Sequence, residues 1–90
     1  MAQIKIERPT QEKLDNLGVS SWPIWEKEAS KFDWYYDSAE TCYILEGDVV
    51  VETEDGERVE FGAGDLVTFP KGLTCVWGIK EPVRKHYNFE

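Results

Sequence analysis

Residues 40–72 constrain this chain more than any other stretch, because strand-favouring runs alternate there with turns that suit antiparallel β-structure. The run ETCYILEG over residues 40–47 is rich in β-branched and aromatic residues and closes on a glycine. The run GDLVTFPKG over residues 64–72 reads as a glycine turn, a short apolar strand and a Pro-x-Gly turn. Between them, Asp55 and Gly56 separate VVVET (residues 49–53) from ERVEF (residues 57–61). An Asp-Gly pair between two β-rich arms predicts a hairpin with a two-residue type I′ turn.

The flanking residues extend the same pattern. Ile4 and Ile6 alternate with Lys5 and Glu7 before Pro9, which predicts a short edge strand. Thr10 is placed as an N-cap with Glu12 in the first turn, so a brief helix runs to Leu17 and ends at Gly18, with Leu14 and Leu17 turned to the body. WPIWE (residues 22–26) begins the sheet, residues 26–31 form a polar turn or rim, and FDWYYD (residues 32–37) is the next strand. Alternation puts Phe32, Trp34 and Tyr36 on one face and Asp33 and Tyr35 on the other. By the same rule Glu40, Cys42 and Ile44 share a face, as do Leu73, Cys75 and Trp77 in the strand over residues 73–79. Lys80, Glu81 and Pro82 break that strand, and residues 83–89 close the set. Eight or so short strands joined by Gly, Pro and Asp turns predict an all-β sandwich or barrel. One domain is expected over residues 1–90, with residues 1–21 as a strand and short helix packed on a barrel of residues 22–90.

Charge removes several function classes. Eighteen acids against ten bases give a net charge of −8, and the bases are scattered, which argues against nucleic acid as a partner. No apolar run approaches the length needed to span a bilayer, and the first residues carry no signal-peptide pattern. A cytoplasmic, membrane-free protein is expected, a removed organellar transit peptide being the alternative. Cys42 and Cys75 each sit inside an apolar strand pattern, as free buried thiols do. Four Trp, four Tyr and four Phe must fill the core of a small chain, and association as a homodimer would add buried surface.

The spacing is more specific than the strand count. Glu40 is followed after six residues by Gly47, and Gly64 after five by Pro70-Lys71-Gly72. Together with YILEG (residues 43–47) and GDLVTFP (residues 64–70), this resembles the two motifs of the cupin superfamily. The tail PVRKHY (residues 82–87) and WPIW (residues 22–25) look similar to small single-domain cupins related to the cupin domain of ureidoglycine aminohydrolases. The resemblance implies an RmlC-like jelly-roll β-barrel of two antiparallel sheets, open at one end. It also implies a divalent metal inside that mouth, held by two His and a Glu from the first motif and a His from the second. Here the chain departs from the pattern: the two first-motif histidine positions fall on Trp34 and Tyr36, the second-motif histidine on Cys75, and the last motif position on Ile79. Only Glu40 survives, and His86 is the one histidine in the chain.

These substitutions leave several readings open. Glu40 is either a pocket carboxylate for a cationic or amide ligand, or a general base, or a retained rim residue satisfied by a backbone N–H or a tyrosine hydroxyl. Trp34, Tyr36 and Trp77 either stack on a flat ligand or fill the core. Cys42 and Cys75 are small buried groups or, with Glu40 and His86, a mixed site for zinc or iron. Arg84, Lys85 and His86 form an anion clamp or a solvated strand face. The preferred expectation is a barrel that binds a small polar metabolite without metal or other cofactor, its pocket lined by Trp34, Tyr36, Glu40, Cys42, Cys75 and Trp77. The alternative is a metal-dependent enzyme of C–N hydrolysis, of the ureidoglycine aminohydrolase type, using a non-standard Glu/Cys/His site. A third is an assembly module that works through a dimer face.

Overall fold

Two long strands carry the architecture. In the computed structural model, which describes residues 4–89, the order is β1 (Lys5–Glu7), α1 (Gln11–Leu17), β2 (Ile24–Lys27), β3 (Ser30–Tyr35), β4 (Glu40–Thr53), β5 (Arg58–Gly62), β6 (Leu66–Phe69) and β7 (Thr74–Phe89). Residues 1–3 of the N-terminal segment expected to pack on the barrel, and residue 90, lie outside the described residues. β4 and β7 pair antiparallel along nearly their whole length, from Glu40 opposite Phe89 to Thr53 opposite Cys75. On the far side of β4 lie first β6 and then β5, and on the far side of β7 lie β3 and then β2. β1 adds an edge strand to β6.

The β4–β7 ladder is interrupted at its middle, where the register shifts between Ile44 and Glu46, Glu46 and Asp48, and Asp48 and Val49. Bulges of this kind bend a strand. One half of the sheet is β1-β6-β4-β7-β2, and the other is β5-β4-β7-β3, sharing the two bent strands. Side chains of the two halves meet in one core: Phe69 of the first lies 6.0 Å from Phe61 and 5.7 Å from Trp77 of the second, ring centre to ring centre. Gly47 marks the bend. Its φ is 125°, and a Cβ there would come within 2.8 Å of Val83 Cα, so the two strands approach at a distance only glycine allows.

Several local expectations are corrected. Among the described residues seven strands form where eight or so were expected, because residues 40–53 and 74–89 each run as one bent strand. Pro82 does not end β7, since it falls at the irregular middle of the ladder, where a missing N–H removes no regular bond. The Asp55-Gly56 turn is not type I′: no non-glycine described residue has positive φ, and Gly56 alone takes φ 94°. Gly56 N–H donates to Thr53 O (3.0 Å) and Thr53 N–H to Glu57 O (2.8 Å), a longer loop in which glycine carries the left-handed residue. Helix α1 has the expected caps, Thr10 accepting from Lys13 N–H and Gly18 at φ 71°. Only Leu14 of its two leucines is half-buried, Leu17 being 42% exposed, so a helix of two turns holds one side chain to the body.

Candidate ligand-binding site

The mouth between the two halves is built by side chains of β2, β3, β4 and β7. Alternation along β3 sends Phe32 and Trp34 toward it, and Tyr36 follows just beyond the strand end, the three rings touching edge to face in succession at 6.3 and 6.4 Å. Tyr36 is held by backbone bonds on both sides, its N–H to Leu73 O (2.9 Å) and its carbonyl to Gly72 N–H (2.7 Å). Its ring stacks on Phe69 at 4.7 Å, and its hydroxyl accepts from Trp77 Nε1 at 3.1 Å. Burial first, then the negative charge of Glu40, push the Tyr36 phenol well above the ordinary tyrosine range, so it stays a protonated hydroxyl.

On the floor lies a buried ion pair. Lys85 Nζ donates to Glu40 Oε2 at 2.8 Å, and the two side chains are 6% and 4% exposed. Lys85 stands opposite Ile44 in the ladder, and its ammonium meets the carboxylate of Glu40, which stands opposite Phe89. The ammonium also lies 5.0 Å from the ring centre of Trp25 and 4.7 Å from that of Trp77, within cation–π range of both. Above the pair is a cavity of about 170 Å³. Trp25, Phe32 and Trp77 wall it, Tyr87 lines it, and Trp34 and Phe89, 44% and 47% exposed, stand at its rim.

Of the six residues expected to line the pocket, the structure brings Trp34, Tyr36, Glu40 and Trp77 together at this cavity. Cys42 and Cys75 do not line it. Both are buried in the aliphatic and aromatic core as free thiols, because small apolar side chains fill the space between larger ones there. Burial pushes Cys42 up to about 12, with Glu40 adding and Lys85 opposing, and pushes Cys75 up to about 11. Neither is a thiolate at neutral pH. Arg84, Lys85 and His86 do not act as one clamp. Lys85 alone points inward, while Arg84 pairs with Glu26 at 3.1 Å on the outer face and His86 Nδ1 lies 2.9 Å from Trp22 O.

The sequence offers Lys85 only as part of an anion clamp or a solvated strand face, whereas the structure places it in the cavity lining, paired with Glu40. Val83 and Lys85 are two apart in a strand, so a β-period reading of residues 83–87 places the lysine on the inward face with Val83. The fit to a divalent metal fails on the donor set. The one family carboxylate is already neutralised by an ammonium, its three imidazole positions carry Trp34, Tyr36 and Cys75, and among the described residues no group of three or more His, Cys, Asp or Glu converges on a point.

The comparisons with known proteins decide the family. A family model described as an EutQ-like cupin domain matches residues 14–87. The chain belongs to this EutQ-like cupin family. A DUF861-family protein of Thermotoga maritima is 66% identical to it, with a TM-score of 0.97 over 98% of this chain and 100% of that one. A putative ethanolamine utilization protein Q of Salmonella typhimurium is 30% identical with a TM-score of 0.66, over 73% of this cupin and 53% of that chain, so the present chain spans about half of that protein. An RmlC-like cupin of Shewanella frigidimarina, at 15% identity and a TM-score of 0.56, shares the fold. The all-β cupin jelly roll expected from the motifs is the fold of this chain. No curated protein matches it.

Proposed function

We propose that this cupin is a binding module for one small, largely flat molecule, seated in the aromatic mouth above the Glu40–Lys85 pair. The observation that carries this reading is the pair itself. Two opposite charges are held out of solvent at the floor of a cavity whose walls are mostly ring carbon. Such a pair adds little net stability over an apolar filling, and its place under an open cavity is where polar groups fix a ligand's orientation. The cavity volume, about 170 Å³, is close to the roughly 150 Å³ that holds one benzene, so the ligand has about one ring.

The tryptophans of the cavity report occupancy directly. A panel of one-ring metabolite-sized compounds, screened by tryptophan emission, is expected to include members giving a saturable change that Glu40→Gln or Lys85→Met weakens. A panel that gives no saturable change, or changes indifferent to both variants, overturns the reading. Metal-dependent C–N hydrolysis of the ureidoglycine aminohydrolase type draws no support from the relatives reported above, and the donor set at the mouth does not suit its metal.

A further inference from the structure

The polar edge of the cavity offers a specific pattern. Glu40 Oε2 is taken by Lys85, while Oε1 has no hydrogen-bond partner among the described residues and can accept. Lys85 uses one of its three N–H bonds on Glu40 and has no other acceptor among the described residues. Tyr36 accepts from Trp77 through its oxygen, and its own proton has no acceptor among the described residues. One acceptor and two kinds of donor therefore belong to residues that line the same cavity, whose remaining lining is aromatic.

Charge narrows the ligand further. Glu40 and Lys85 cancel, so the site as a whole is neutral. An anionic ligand drawn to Lys85 would meet the Glu40 carboxylate without water to screen it, and a cationic ligand drawn to Glu40 would meet the ammonium in the same way. A neutral ligand avoids both.

We propose that the ligand is a neutral planar molecule with a carbonyl oxygen beside an N–H, an aryl carboxamide or a lactam. This deepens the binding reading above and rests on it. The carbonyl accepts from Lys85 or Tyr36, the N–H donates to Glu40 Oε1, and the ring lies among Trp25, Phe32 and Trp77. A site built to hydrogen-bond a ligand's N–H discriminates strongly against an analogue that lacks it, because its own buried groups are then left unpaired.

The test uses the wild-type chain and five probes of one size: benzamide, benzoate, benzylammonium, acetophenone and toluene. Each is titrated by tryptophan emission and by the indole N–H resonance of Trp77. Benzamide is expected to bind at least about tenfold more tightly than each of the others, a difference of about 1.4 kcal/mol. If benzoate, benzylammonium, acetophenone or toluene binds within about tenfold of benzamide or more tightly, the amide assignment is wrong and the cavity reading stands. If none of the five binds, toluene included, the cavity is no ligand site and both readings fall.

Discussion

Replacing Lys85 by methionine keeps most of the side chain's length and removes its charge, leaving Glu40 with no partner in a site where both side chains are 6% exposed or less. Breaking a buried pair by removing one member costs about 3–5 kcal/mol, because the remaining charge is uncompensated. An exposed pair would lose only about 0.2–1 kcal/mol. The contacts of the ammonium with Trp25 and Trp77, at 5.0 and 4.7 Å, are lost in the same change and are contained in that total. Against a usual stability of about 5–15 kcal/mol, Lys85→Met becomes a marginal domain. Urea unfolding followed by tryptophan emission reads the loss as a lower midpoint at unchanged slope. The double variant Glu40→Gln/Lys85→Met recovers much of the loss, because it leaves no lone charge. A loss below about 1 kcal/mol, or a double variant no more stable than the single, refutes the reasoning.

Four further outcomes follow from particular contacts. Gly47→Ala forces a Cβ to within 2.8 Å of the Val83 backbone at φ 125° and is expected to cost about 3 kcal/mol or more, whereas Gly56→Ala, at φ 94° in open space, costs about 1–2 kcal/mol; thermal melts that rank them the other way contradict the bend. Burial pushes Cys42 up to about 12 and Cys75 up to about 11, so above about pH 9 the unfolded chain releases thiol protons that the native one keeps. Stability therefore falls as the pH rises from about 9 toward 11, by up to about 1.4 kcal/mol per unit from Cys42, and a urea midpoint that stays flat over that range tells against it. The same two thiols react with a disulfide reagent at neutral pH only on unfolding, and rapid labelling of the native chain would place one at the surface. Manganese, zinc or iron added to the metal-free protein leaves its melting temperature unchanged, and a saturable rise with any of them overturns the account of the mouth.

The turns made the fold legible. Gly47, Gly64 and Gly72 all take positive φ, as chain reversals and close approaches require, and their spacing carried the family. Alternation gave the shared face of Phe32, Trp34 and Tyr36 correctly, because that strand is short and regular. It failed where strands bend: the irregular ladder around Gly47 joined segments that local breakers had separated. The hairpin type was missed because glycine could take the left-handed residue alone once the loop was one residue longer. At the site, the motif pointed to Glu40 but gave no sign of its partner, since Lys85 is brought to it by a strand 45 residues away. Trp25, Tyr87 and Phe89 reach the cavity from the same distant or flanking strands. Cys75 was misassigned to the pocket because the motif fixes a position in the chain, while the depth of a short side chain decides whether it reaches the cavity.

Lys85 is the cation at the floor of the mouth, paired with Glu40 and within reach of two indole rings. Proton–nitrogen correlation of the lysine ammonium groups at neutral pH measures this directly. One ammonium is expected to exchange slowly with water and to be shifted upfield by the rings of Trp25 and Trp77, and to lose both properties in Glu40→Gln. If every lysine shows the rapid exchange and unshifted signal of a solvated side chain, the buried pair does not exist in solution and the proposed site goes with it.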